Sequence, residues 1–190
     1  MKGDGSDLVL ELANGRLIRL GSNHSPVSRR DLLAEGKRKG ESLERIFWWD
    51  LAGGDVLLFG DVHRPEALPD QQWKSGFFRV PLNSPKAFQS LYEIETGDPA
   101  RIFYRAVPLL TALGDTSYML LMEEKPRIVR SRKGSAGLET LRAFPAELAQ
   151  RPVLPPWKQL DDYAPLMLAV ERSTMPVALL GWEGSLFVLG

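Results

Sequence analysis

The run Val56-Leu57-Leu58-Phe59 constrains the fold more than any other stretch of the chain. As an extended strand it has no polar residue to turn toward solvent on either face, so it has to be buried on both. That makes it a central strand. It breaks off in Gly60-Asp61-Val62-His63-Arg64-Pro65, so its end presents either a metal-binding Asp-x-His pair or an ordinary turn.

Around this strand, the hydrophobic pattern predicts an α+β fold: a mainly antiparallel sheet with several short helices packed on it, in a single domain over residues 1–190. Asn14-Gly15 between two apolar-rich runs signals a hairpin. A three-residue connection through Asn14, Gly15 and Arg16 would pair Leu10 with Leu20, Leu12 with Ile18 and Glu11 with Arg19, gathering one apolar face. Ser28 followed by Asp31 predicts a capped short helix, and Leu43, Ile46 and Phe47 share a face of a second over Glu41 to Trp49. A third is expected from Ser84-Pro85, with Ala87, Phe88, Leu91 and Ile94 inward, and others over 135–144 and near 165–173. Further strands are expected at 76–82, 101–107, 117–122 and 127–130. A terminal hairpin turns through Trp182-Glu183-Gly184. Prolines 145, 152, 155, 156 and 165 mark a crossing segment at 145–165, expected to lie against the body.

With 44% hydrophobic and 25% charged residues the chain has the composition of a folded protein. Its 24 Lys and Arg balance 24 Asp and Glu, so no overall field draws it to nucleic acid or an anionic membrane. The absence of cysteine excludes disulfides, thiolate catalysis and the common structural zinc sites, and suits a reducing compartment. The N-terminal apolar residues are interrupted by Glu11, Asn14, Arg16 and Arg19, and no apolar run approaches the roughly 18 residues of a membrane span. A cytoplasmic location is therefore expected, and no motif calls for a cofactor.

Three groups of residues offer chemistry. Asp61, His63 and the other histidine, His24, form the candidate metal set. Asp61-x-His63 resembles the Asp-x-His element of metallophosphoesterases, and Gly21-Ser22-Asn23-His24 loosely resembles their Gly-Asn-His element. The resemblance covers eight residues and departs in element order, in the inserted Ser22 and in the missing Gly-Asp-x-x-Asp box. The second group is basic: Arg127, Arg130, Arg132 and Lys133 precede Gly134-Ser135-Ala136-Gly137 and an expected helix start, where amides and cations together could hold phosphate. Lys37, Arg38 and Lys39 add a second basic loop.

The third group is aromatic. Phe47, Trp48 and Trp49 are consecutive, and on a helix they cannot all face one core, which directs Trp48 or Trp49 to a partner surface or beneath a covering segment. Trp73, Phe77, Phe78, Trp157 and Trp182 fall near turns or strand ends. With weak catalytic motifs and surplus aromatics, the expected function is a non-enzymatic accessory or protein-interaction protein of the adaptor, inhibitor or immunity type, with a protein as its partner. The alternative is a phosphate-handling protein, either a metal-assisted hydrolase at Asp61 and His63 or a binder at 130–133.

Overall fold

The computed structural model describes residues 7–11, 15–35, 37, 40–81, 89–94, 104, 109–123, 126–135, 137–143 and 178–189. Four antiparallel meanders make up the described chain. Strands β1 (Asp7–Glu11), β2 (Arg16–Leu20) and β3 (Pro26–Asp31) form the first and lead into α1 (Leu32–Glu35). The second is β4 (Ser42–Ala52), β5 (Asp55–His63), β6 (Trp73–Pro81) and β7 (Gln89–Ile94). The third runs β8 (Leu110–Leu113), β9 (Thr116–Leu121), β10 (Arg127–Arg132) and β11 (Glu139–Ala143), and the last is the hairpin of β12 (Ala178–Trp182) and β13 (Ser185–Leu189).

The protein is therefore mostly antiparallel β, not the α+β arrangement with several packed helices that the periodicity suggests. The expected helix over Glu41 to Trp49 falls, from Ser42 on, in β4. Two β-bulges explain the misleading pattern, because Glu44 and Phe47 are extra residues opposite β5. Each insertion turns the two-residue repeat of a strand into a local step of three. Leu43, Ile46 and Trp49, at helix-like spacing, thereby all meet one core cluster. The short helix expected after Ser28 is present as α1, which starts only at Leu32, with Asp31 Oδ1 accepting the Ala34 N–H at 2.9 Å, while Ser28 to Asp31 belong to β3. Where the other helices are expected on described residues, Leu91 is an extra residue in β7 and Leu141 in β11. The expected helix near 165–173, the strand at 101–107 apart from Tyr104, and the crossing segment 145–165 lie outside the described residues. The first hairpin pairs Leu10 with Leu17 and Glu11 with Arg16, so residues 12–15 connect the strands in place of the expected three-residue link.

Strand β5 is buried along both faces, as its sequence demands. Leu57 and Phe59 turn to one side, where Phe59 meets Phe77 at 5.0 Å and Tyr104 at 5.5 Å between ring centroids. Met119, Leu121 and Val129 of the β8–β11 sheet close that cluster. Val56, Leu58 and Val62 turn to the other side and pack with Ile46, Phe78 and Val80 under Leu17 of β2 and Leu32 of α1. The central sheet is thus the middle of three layers. Each fully buried Leu or Phe contributes about 1.5–3 kcal/mol relative to exposure, so two filled faces anchor β5 firmly.

At the β6–β7 margin Glu93 accepts hydrogen bonds from Lys74 at 2.9 Å and Arg64 at 3.0 Å. Burial pushes the Glu93 carboxyl up, but the Lys74 hydrogen bond and the charges of Arg64 and Lys74 outweigh it and hold the group below its ordinary 4.5. Glu123 is likewise held down, chiefly by the Arg127 hydrogen bond and with help from Tyr92, against the opposing effect of burial. A depressed carboxylate stabilises the fold fully above its unfolded-chain pKa, and that contribution disappears as pH falls through the lower folded value. The melting temperature is therefore expected to hold steady down to about pH 5 and to fall below 4.5, the unfolded-chain value. In a Glu93→Gln, Glu123→Gln variant melted across the same pH series, the acid-side fall should shrink; an unchanged fall would assign it to other groups.

Candidate functional site

The three candidate metal ligands are not gathered together. Asp61 and His63 project from the same face of β5, but Asp61 is buried and its Oδ1 accepts a hydrogen bond from Ser75 Oγ at 2.6 Å. His63 stacks on Trp73, with ring centroids 4.6 Å apart. His24 stands at φ +58° in the exposed turn between β2 and β3, within the layer that covers the opposite face of the central sheet. Among the described residues no group of three or more Asp, Glu or His side chains could hold a metal ion.

The basic set divides in a similar way. Arg127 makes a two-pronged pair with Glu123, at 2.9 and 3.0 Å, and Arg130 a second with Glu139, at 2.8 and 2.7 Å. Each hydrogen-bonded glutamate raises the pKa of its arginine. Arg132 is exposed, while Lys133 reaches back across the sheets to donate to the Gly53 carbonyl at 2.7 Å. Residues 139–143 form β11, so no helix terminus follows the 133–137 loop and no helix dipole supports an anion there. Of the second basic loop, Lys37 is exposed and residues 38 and 39 lie outside the described residues.

Trp48 and Trp49, in a strand and not a helix, point to opposite faces. Trp48 packs with Phe47 against the cluster around Phe59, and Trp49 packs against the cluster around Leu58; both are half-buried. They do not share one surface.

A further polar cluster lies outside the three groups of the sequence. Arg79 of β6, 2% exposed, sends Nη1 to the Arg132 carbonyl at 2.7 Å and Nη2 to Ser117 Oγ at 2.7 Å and the Ser131 carbonyl at 3.0 Å. Its Nε lies 3.8 Å from Asp55 Oδ2, beyond hydrogen-bond reach, and Asp55 Oδ1 is 3.7 Å from Lys133 Nζ. Burial lowers the pKa of Arg79, while Asp55 and Asp115 act to raise it. These contacts tie the central sheet to the β8–β11 sheet, and they use the Arg79 Nη donors on protein oxygens. The sequence signal was present, since Arg79 interrupts an apolar strand and Asp55 abuts another.

The remaining concentration of chemistry is apolar. In the β12–β13 hairpin Leu179, Leu186 and Val188 face inward to the main core, and Leu180, Trp182 and Phe187 face outward. The outward three are 46%, 67% and 48% exposed. Leu180 is paired directly with Phe187, and Trp182 is two residues on from Leu180 along β12, so they form one continuous ridge. The turn is rigidly specified. Glu183 and Gly184 both have positive φ, +46° and +78°, as a type I′ turn requires. Gly181 donates its N–H to Thr111 Oγ1 at 3.1 Å, and a Cβ there would meet Leu113 Cδ2 at 2.6 Å, so β12 is seated closely on β8. Among the described residues the other exposed large apolar side chains, Val27, Leu51, Leu68, Trp73 and Leu141, are spread along the chain and not gathered on one element.

No family model matches the chain, and no curated protein matches it. Among the described residues no helix is long and apolar enough to cross a membrane.

Proposed function

We propose that the chain is a non-enzymatic protein-interaction protein, of the adaptor, inhibitor or immunity type, that docks through the outer face of the β12–β13 hairpin. The observation carrying this reading is the exposed ridge of Leu180, Trp182 and Phe187 on a hairpin whose inner face is locked to the core. Contiguous apolar side chains on a rigid element are the usual anchors of protein contacts, with aromatic residues contributing most. The cysteine-free sequence supports a reducing, cytoplasm-like setting.

A phosphate-handling role draws support from a different place than the 127–133 segment. An open depression of about 450 Å³ on the first sheet is lined by Arg16, Ile18, Arg29, Arg30 and Asp31. Arg30 is already engaged by Glu35 and by the Pro81 carbonyl, at 2.9 Å, so the interaction reading leads.

The direct test is capture of proteins from the native source by tagged wild type and by a Trp182→Ser, Phe187→Ser variant. Both side chains are exposed, so the double substitution should move stability by no more than about 1 kcal/mol. Specific capture should nevertheless be lost. Capture that survives the double substitution at wild-type strength would overturn the hairpin reading.

A further inference from the structure

We propose that the occupant of the hairpin's outer face is a second copy of the chain, packed face to face about a two-fold axis. This rests on the reading of that face as a protein contact.

A two-fold interface brings a patch against itself, so a charge at its centre would oppose its own image. Across residues 178–189 Glu183 is the one charged residue, and it stands in the turn at the end of the patch. The outward side chains Leu180, Trp182, Ser185 and Phe187 are uncharged and can meet their own copies without penalty. The whole chain has formal charge +0, so two copies approach without net repulsion.

Shape favours the same occupant. Trp182 is paired across the hairpin with Ser185, a tall side chain beside a short one, next to the Leu180–Phe187 ridge. Two such steps related by a two-fold axis interdigitate, each Trp182 lying over the partner's low side, at the roughly 10 Å spacing of packed sheets. Taking large apolar side chains at roughly 150–250 Å², the exposed parts of the three residues sum to on the order of 350 Å² per copy. Two copies with the surrounding rim then approach the roughly 1,000 Å² at the small end of specific interfaces, so the dimer should be concentration-dependent in the micromolar range.

Sedimentation velocity over about two decades of micromolar concentration reads this directly. The weight-average mass of wild type is expected to rise from one chain toward two. Phe187→Lys should raise the dissociation constant by about 30-fold or more while the chain stays folded, and Trp182→Glu should do the same. An equimolar mixture of Phe187→Lys and Phe187→Glu chains should recover the dimer through opposite charges. A mass of one chain at every concentration overturns the proposal. Hydroxyl-radical labelling of Trp182 then separates the two readings: protection on adding native extract to a monomeric chain leaves docking intact and removes self-association, and absence of protection removes both.

Discussion

Replacing Arg79 with leucine is expected to lower the free energy of unfolding by about 3–5 kcal/mol, the range for removing one partner of a buried ion pair. That is a large share of the roughly 5–15 kcal/mol that holds an ordinary domain together. The loss has three sources. Asp55, 3% exposed, is left in the interior with Lys133 as its nearest described cation, 3.7 Å away and half-exposed. The carbonyls of Ser131 and Arg132 and the hydroxyl of Ser117 lose a charged donor. The tie between the central sheet and the β8–β11 sheet is also cut. Leucine fills much of the volume, so the deficit is electrostatic and not a cavity. Adding Asp55→Leu should therefore recover part of the stability, because an apolar pair replaces an ion pair at little net cost, whereas a buried carboxylate left with only the half-exposed Lys133 does not. Urea denaturation of the two single variants and the double closes the cycle; a single-variant loss under about 1 kcal/mol would show that Arg79 is dispensable.

The segments that were legible in the sequence are those where strand alternation is unbroken. The runs that became β5, β9 and β10 read as strands, and the apolar run at 56–59 correctly demanded cover on both faces. Of the predicted helices that fall on described residues, the one after Ser28 is present only as the four residues of α1, and the others coincide with strands β4, β7 and β11, each carrying one or more inserted residues. An inserted residue shifts the phase of the two-residue repeat, and a periodicity argument has no means of seeing an insertion whose partner strand is unknown. Leu43, Ile46 and Trp49 are the clearest instance, three residues apart and on one face of a strand.

Site legibility followed a related limit. The terminal hairpin and its Trp182-Glu183-Gly184 turn were readable from local chemistry, but which of its faces meets the body is a tertiary fact. Alternation assigns Leu180, Trp182 and Phe187 to one side and Leu179, Leu186 and Val188 to the other. Both sides are apolar, so composition does not choose between them. The same holds for Arg127 and Arg130, whose glutamate partners, Glu123 and Glu139, sit close in sequence but meet them only through the fold.

Substituting Gly60 with alanine is expected to lower stability by about 2–3 kcal/mol, and with valine by more, the upper part of the range for overpacking a filled interior. A Cβ at position 60 would lie 2.3 Å from the Arg45 carbonyl oxygen and 3.0 Å from Leu43 Cδ1. The first obstacle is backbone, and Arg45 stands between the bulges at Glu44 and Phe47, which fix its carbonyl against β5. Gly60 is paired across the sheet with Gly76, where a Cβ would in turn meet the Tyr92 carbonyl at 2.6 Å. The two glycines thus let the backbones close in where the central sheet is bulged on both sides. Relief would require β4 to slide, and β4 carries Asp50, whose Oδ2 accepts hydrogen bonds from Ala112 N at 2.8 Å and Thr111 Oγ1 at 3.2 Å. Thr111 also receives the Gly181 N–H that seats the terminal hairpin. Gly60→Ala should therefore weaken hairpin contacts as well as the fold, lowering the melting temperature by about 4–12 °C for a chain of this size. Gly137→Ala, with nothing within 4 Å of its added carbon, is the control and should melt with wild type. A Gly60→Ala protein that also melts with wild type would mean that β4 can yield without cost.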